Sequence, residues 1–378
     1  MHNSVASSVS MVVLALVIGT DFAVAEEEPK PPRNQYEFED IIIPPASADE
    51  PILDNFSLKA ALDYIDNGAL AWSKERKCVS CHTNGSYLFT RPALTGMIGN
   101  PPQEMRDFFV QQLDKLQVKD RKVLRKRENA TQVAYVAAGL AEWDKHVSNH
   151  LSTETDRALR LLFEVQREDG AFNNHNCWPP LESSYFHSAT VAAMAITSAP
   201  GWLASSAGDS PELLDQFEQL KTFLRDSEPP HDYGRLLLLW ASARIPDLID
   251  SERKQSIIEM ILDRQKSDGG WSIRTFATPE SWGKGNRAEK LRAEPELDNP
   301  PSDGHLTGLA VIVLRESGVC KTDPQIRKAI KWILNNQRQS GRWWTRSLNS
   351  DDYHFITFSG SCYPLLALAN CDAIPLQP

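Results

Sequence analysis

Positive charge and long apolar runs are both scarce in this chain of 378 residues. Lysine and arginine total 40 against 50 aspartates and glutamates, so the formal net charge is −10. A nucleic-acid ligand needs a surplus of basic side chains, so this balance argues against one. A membrane helix needs about 20 apolar residues in a row, and no segment reaches that length. We therefore do not expect an integral membrane protein.

The longest apolar run near the start, Met11–Ile18, is too short to span a bilayer. An Ala-Val-Ala sequence follows at 23–25 and has the small-x-small form of a cleavage site. These features predict a signal peptide over residues 1–25, hence a periplasmic or extracellular protein; the alternative is a disordered apolar tail. Residues 26–53 are rich in proline and acid and predict an extended linker to one domain over 54–378.

One short pattern occurs three times, each time after apolar residues with helical spacing. Each copy is Gln, three polar residues, Gly and then an aromatic within two positions, and the copies begin at Gln166, Gln265 and Gln337. The Gly can take a positive φ and stop the helix, while the Gln amide can bond backbone groups freed at the helix end. The aromatic can cover the apolar side of a hairpin. Three copies, each followed by another helix, indicate a repeated helix hairpin.

These repeats resemble those of the terpenoid cyclase and protein prenyltransferase superfamily, which includes squalene-hopene cyclases and the β subunits of protein farnesyltransferases. The resemblance covers residues 55–375 and implies an all-α fold, an α/α toroid with two concentric rings of helices around a central cavity. Helical spacing along the chain predicts the paired helices of about six hairpins. The irregular stretch at 273–302 is predicted to be a functional flap or a disordered insertion.

The first hairpin departs from the repeat. Where the Gln turn is expected, the chain reads Cys78-Val-Ser-Cys81-His82 and then still ends with Gly and an aromatic. Cys-x-x-Cys-His is the attachment motif of c-type haem, in which both thiols add to vinyl groups and the His ligates the iron. One helical turn would place both sulfurs on one edge of the macrocycle.

Two questions about this motif stay open in the sequence. The pair Cys78 and Cys81 could instead form a disulfide or a small metal clip. A second axial ligand is not evident: Met97 and Met105 lie nearby, but a methionine on an apolar helix face is more often a core residue.

The resemblance also implies a metal site. Prenyltransferase β subunits hold zinc with an Asp-x-Cys pair and a later His. Asp303 and His305 resemble that pair with His in place of Cys, and His354 resembles the later ligand. Three such ligands would leave one open position on zinc or another metal. The alternative is that Asp303 is a helix N-cap.

A second functional resemblance points to acid catalysis. Squalene-hopene cyclases protonate an alkene with the middle Asp of Asp-x-Asp-Asp, and residues 349–352 read Asn-Ser-Asp-Asp. Asp351 and Asp352 are therefore candidate catalytic acids, although Asp352 could also simply cap the last helix. An acid strong enough for an alkene needs a dry pocket and a partner that positions its proton.

These features together predict an exported α/α-toroid protein that carries one covalent haem c at its first hairpin. It would act in electron transfer with a redox partner, or in the oxidation of an apolar or isoprenoid molecule. One alternative is a non-catalytic binding or scaffold toroid with a Cys78–Cys81 disulfide. The other is a terpenoid cyclase or a metal-dependent transferase that uses the residues at 303–305 and 351–354.

Overall fold

A computed structural model describes residues 33–375, so the predicted signal peptide at 1–25 lies outside the described residues. Residues 33–375 are mostly helical, and they include one β hairpin in which Tyr36–Phe38 (β1) pairs antiparallel with Ile41–Ile43 (β2). The helices are α1 (Leu58–Arg76), α2 (Asn84–Thr90), α3 (Thr95–Ile98), α4 (Gln103–Gln117), α5 (Arg121–Leu124), α6 (Arg127–Trp143), α7 (Thr153–Glu164), α8 (Tyr185–Ser198), α9 (Trp202–Asp209), α10 (Pro211–Asp226), α11 (Asp232–Arg244), α12 (Ser251–Asp263), α13 (Ala288–Arg292), α14 (Gly304–Glu316), α15 (Pro324–Asn335) and α16 (Ile356–Asn370).

Two concentric rings of helices make up the fold. In the inner ring each helix packs against the next and the last packs against the first, in the order α2, α6, α8, α11, α14, α16. Nearly every residue of these helices is buried, as expected for helices that are apolar on all sides. Outside them α1, α4, α7, α10, α12 and α15 each bury one face. The predicted α/α toroid of six hairpins is confirmed.

The repeated glutamines connect neighbouring outer helices. Each amide nitrogen donates one hydrogen bond to the Gly carbonyl of its own turn and another to a carbonyl at the next outer helix, at 2.8–3.0 Å. The acceptors at the next helix belong to Gln216 in α10, Gln325 in α15 and Ser57 before α1. The glutamines thus join successive hairpins as well as closing their own turns.

The sequence predicted that the repeat glycines stop the helices, but they do not. Their helices already end at Glu164, Asp263 and Asn335, and each glycine lies in a tight turn farther along. Their predicted positive φ is confirmed, at 83°, 95° and 91°. A Cβ on Gly341 would lie 2.0 Å from the Ala60 carbonyl oxygen. Glycine is therefore required because the next outer helix passes directly over the turn.

The two repeat tryptophans each connect their turn to the outer helix that precedes it. Trp271 and Trp343 are fully buried, which confirms that the aromatic covers the hairpin. Their indole N–H groups donate to the carbonyls of Ile261 and Ile333, at 2.7 Å in both cases. Each donor thereby satisfies a carbonyl near the end of an outer helix, where such groups have no partner inside the helix.

The segment before α1 is packed against the toroid from residue 33 onward, in contrast to the extended linker expected there. Tyr36 of β1 is 2% exposed. The buried Arg342 guanidinium lies 2.6 Å from the Glu50 carboxylate and donates to the Pro45 carbonyl at 2.7 Å. These contacts hold residues 33–53 beside the turn between α15 and α16.

The irregular stretch at 273–302 is also ordered rather than a disordered insertion. It contains a short 3-10 helix and α13, and its Trp282 is buried with its ring centroid 4.7 Å from that of His231. Within residues 33–375, no helix is long and apolar enough to cross a membrane.

Candidate functional site

A cavity of about 260 Å³ opens at the end of the toroid where the inner helices begin. Its walls come from residues that directly precede three inner helices: Cys81 and His82 before α2, residues 178–181 before α8, and residues between 347 and 356 at the start of α16. This volume is slightly below the range of about 300–1000 Å³ usual for small-molecule and cofactor sites. We call this space the mouth cavity.

The interior of the inner ring is filled by aromatic side chains. Phe89 of α2 and Trp240 of α11 come from opposite sides of the ring, and their ring centroids are 5.4 Å apart. Trp240 also contacts Tyr363, which in turn contacts His305 at 5.0 Å. The resemblance implied an open central cavity, but at the level of these buried side chains the centre is closed. The mouth cavity is therefore the better place for a ligand.

The Cys-x-x-Cys-His segment is a fixed loop rather than the expected helical turn. Residues 78–82 are not helical, and α2 begins only at Asn84. The Cys78 carbonyl accepts hydrogen bonds from Trp72 Nε1 at 3.1 Å and from Asn84 Nδ2 at 3.0 Å. Cys81 lines the mouth cavity, whereas Cys78 is half-buried and does not line it, and neither thiol is in a disulfide. Side chains of both flanking helices, α1 and α2, thus hold the backbone of this loop.

His82 has one ring nitrogen held and the other free. Its Nδ1 lies 2.8 Å from Thr83 Oγ1, which itself lies 2.9 Å from the Tyr36 hydroxyl. The ring stacks on Phe355 with a centroid distance of 5.1 Å and an interplanar angle of 8°. Burial lowers the pKa of His82 to about 4, so the imidazole is neutral at pH 7. Its Nε2 has no hydrogen-bond partner within residues 33–375, and in the tautomer that donates from Nδ1 to Thr83 it carries a lone pair that a metal could bind.

The two methionines considered as second axial ligands lie elsewhere. Met105 is buried on α4, Met97 is 41% exposed, and neither lines the mouth cavity. Sequence proximity to the motif was their only support, and the fold directs both away from it.

Glu182 is a functional candidate that no motif along the chain identified. Its carboxyl group is buried, contacts the Cys81 thiol and accepts the His175 backbone N–H at 3.1 Å. Burial raises the pKa of Glu182 to about 7. Its φ of 53° is also sparsely populated for a non-glycine residue. Only the packing of the loop before α8 onto the first hairpin brings this acid to the thiol.

The three residues predicted to bind zinc each have a separate environment. Asp303 is the N-cap of α14, and its carboxylate accepts the Leu306 and Ile273 backbone N–H groups at 2.9 and 2.6 Å. This confirms the N-cap alternative, and burial raises the pKa of Asp303 to about 6.

The two histidines of that predicted set also lie apart. His305 is enclosed in the ring between the hydroxyls of Tyr233 and Ser359, at 3.1 and 3.0 Å, whereas His354 lines the mouth cavity. Over the described range 33–375, no three His, Cys, Asp or Glu side chains come together as a metal site.

The two candidate acids are exposed in a turn before α16. Asp351 lies 3.3 Å from Lys290 and 3.2 Å from Arg346, and Asp352 accepts a hydrogen bond from the Ser350 hydroxyl at 3.0 Å. Both side chains are exposed, so the dry pocket that alkene protonation requires does not surround them. The alternative role of Asp352 as a helix cap is wrong, because α16 begins at Ile356.

Comparison with known proteins gives partial similarity to cyclases. No protein-family model matches the chain. A squalene–hopene cyclase of Zymomonas mobilis is 26% identical over 138 residues, which is 36% of this chain and 20% of the cyclase. The matched stretch is therefore only a fifth of that enzyme.

Solved structures of terpene cyclases are similar at low identity. An ent-copalyl diphosphate synthase from Streptomyces platensis aligns with 77% of this chain and 50% of its own, at 13% identity and a TM-score of 0.47. A type II terpene cyclase from Scytonema aligns with 82% of this chain and 98% of its own, at 13% identity and a TM-score of 0.43.

Proposed function

We propose that this protein carries one covalent haem c at the mouth of the toroid and transfers electrons. The observation that supports this most directly is the state of His82. Its Nδ1 is held by Thr83 while its Nε2 has no partner in the described chain, and Cys81 lines the same cavity. A metal-ligating histidine needs this arrangement, in which one nitrogen is fixed by a hydrogen bond and the other is free.

The residues present fit the group by their donor chemistry. Cys78 and Cys81 are both free thiols and would hold the haem through thioethers, while His82 would face the iron. Haem bound in this way supplies one-electron chemistry. Thr83 would keep the imidazole in the required tautomer, and Phe355 would keep its ring plane fixed.

The filled ring interior favours electron transfer over the conversion of a large apolar substrate. Phe89, Trp240 and Tyr363 occupy the space in which a polyprene would have to lie. The motif also fits the expected compartment, because bacterial haem c is attached outside the cytoplasm and the predicted signal peptide would take the chain there. We therefore propose an exported protein with a redox partner.

A pyridine haemochrome spectrum of the protein produced with haem-maturation machinery tests the proposal. We expect one haem per chain that stays with the polypeptide after denaturation. Cys78→Ser and Cys81→Ser should each weaken the attachment, and the double variant should abolish it. The matched control is Cys320→Ser, because Cys320 is exposed and has no contact with the mouth cavity.

A colourless, iron-free product would contradict the proposal. Titration of thiols before and after reduction would then show whether Cys78 and Cys81 form the disulfide of the scaffold alternative. Because the cavity is slightly small for a cofactor, haem attachment should also change amide hydrogen exchange in the segment at 347–356 that forms one of its walls.

A further inference from the structure

Two hydrogen-bond donors on the wall of the mouth cavity lack partners. Asn349 and His354 both line the cavity. The Oδ1 atom of Asn349 accepts a hydrogen bond from Arg287 Nε at 2.9 Å, so its amide Nδ2 is left as a donor toward a ligand. The Nδ1 atom of His354 accepts the Ser347 backbone N–H at 3.1 Å, so its Nε2 is left for a ligand. Neither Nδ2 of Asn349 nor Nε2 of His354 has a partner within the described residues.

The tautomer of His354 follows from this geometry. Burial lowers the pKa of His354, so the ring is neutral at pH 7 and carries a single N–H. Because Nδ1 accepts a backbone N–H, that proton is on Nε2. His354 is therefore a donor toward the cavity and cannot ligate iron through Nε2. Its φ of 45° is sparsely populated for a non-glycine residue, a strain that concentrates at ligand sites.

The charges around these donors favour an anionic acceptor. Lys290 and Arg346 are each paired with the carboxylate of Asp351, at 3.3 and 3.2 Å. Both cations also pair with the buried carboxylate of Glu294. Arg287, which holds Asn349, has no carboxylate partner in the part of the chain that the structure describes. The guanidinium of Arg287 is therefore an uncompensated positive charge in contact with Asn349, one of the two residues with a free donor.

The remaining walls of the cavity are apolar. Trp178, Pro179, Pro180 and Leu181 form one side, and Phe355 lies near the donors. A ligand that matched both parts would have a flat or extended apolar body and a group that accepts two hydrogen bonds. A carboxylate has this acceptor geometry and carries the charge that complements Arg287.

We propose that Asn349 and His354 bind the carboxylate of a ligand whose apolar body lies against the wall at 178–181. Two sources share this chemistry. One is a propionate of the covalent haem, in which case the inference rests on the proposed function. The other is a separate amphipathic carboxylic acid that enters the cavity without haem. Each donor is expected to contribute about tenfold or more in affinity, as hydrogen bonds to charged groups do.

The experiment compares carboxylates with their esters in the full chain. The haem arm uses the Cys78→Ser/Cys81→Ser variant and measures binding of haemin and of haemin dimethyl ester by absorption. The free-acid arm uses protein made without haem and measures cis-parinaric acid and its methyl ester by fluorescence. Asn349→Ala and His354→Ala are tested singly and together. Ser350→Ala is the matched control, since Ser350 lines the same cavity but its hydroxyl is engaged by Asp352.

The haem source predicts that haemin binds at least about tenfold more tightly than its ester and that the double variant removes this preference. The free-acid source predicts the same preference for parinaric acid over its ester, even in protein that never acquires haem. In that outcome the carboxylate site stands although the haem function fails. Equal binding of acid and ester in both arms, or an equal loss in Ser350→Ala, overturns the proposal.

Discussion

Gln337 and Ser57 lie 280 positions apart in sequence and exchange two hydrogen bonds. The Ser57 backbone N–H donates to Gln337 Oε1 at 2.7 Å, and Gln337 Nε2 donates to the Ser57 carbonyl at 2.9 Å. These bonds connect the turn after α15 with the start of α1. The last outer helix is thereby joined to the first by the same type of contact that links α7 with α10 and α12 with α15.

Substituting this glutamine should destabilise the whole ring. Gln337→Ala leaves the Ser57 backbone groups and the Gly341 carbonyl without their buried partner, so we expect a loss of about 1–3 kcal/mol in the free energy of unfolding. Urea denaturation measures it. Gln339→Ala is the control, because Gln339 is exposed in the same turn. Equal stability of the two variants would show that this contact does not hold the ring closed.

Substitutions at two glycines with positive φ distinguish the cost of backbone strain from the cost of a steric collision. Gly341 has φ 91° and its added Cβ would strike the Ala60 carbonyl, whereas Gly318 has φ 103° and nothing within 4 Å. Gly318→Ala should therefore cost only the left-handed penalty of about 1–2 kcal/mol. Gly341→Ala should cost more, because α1 must also move. Thermal unfolding of both variants tests this order, and similar losses would mean that α1 adjusts without cost.

Truncating an aromatic side chain at the closed centre of the ring should leave a cavity there. Phe89→Ala and Trp240→Ala each remove a buried aromatic side chain and should cost about 3–5 kcal/mol in the free energy of unfolding. Since the two rings are in contact, the losses should not add in the double variant. A double-mutant cycle by urea denaturation measures the coupling. Strict additivity would indicate that α2 and α11 do not meet across the ring.

Acidification should weaken the fold through histidines inside the ring. Burial lowers the pKa of His305 to about 3 from the ordinary value of 6.5. A lowered folded-state pKa means that the unfolded chain binds the proton first, so this stability is complete above pH 6.5 and is lost as the pH falls toward 3. Each such group contributes a slope of about 1.4 kcal/mol per pH unit in that window.

The variant His305→Gln should make this slope shallower by about the contribution of one proton. Unfolding free energies from urea titrations at several pH values between 7 and 4 provide the measurement. The overall loss of stability by the variant is a separate quantity and does not affect the comparison of slopes. An unchanged slope would mean that His305 is protonated as readily in the folded protein as in the unfolded chain.

The amino-acid sequence by itself determined the architecture of this protein. The Gln-x-x-x-Gly-aromatic repeats and the helical spacing between them predicted repeated helix hairpins, because each repeat is a local unit with its own turn chemistry. The resemblance of these repeats to the terpenoid cyclase superfamily implied that the hairpins close into a toroid. The cap formed by Asp303 is equally local and was open to prediction.

Only the tertiary structure decided what the potential functional groups face. The candidate acids and zinc ligands form motifs along the chain, but the fold places them in four different environments. Asp351 and Asp352 lie in an exposed turn, and Asp303 caps a helix. His305 is enclosed in the core, and His354 lies on the cavity wall. Glu182 meets Cys81, and His82 meets Phe355, through loops that precede different inner helices. Such meetings depend on how the hairpins close into a ring, and no local spacing encodes the long-range packing that brings them about.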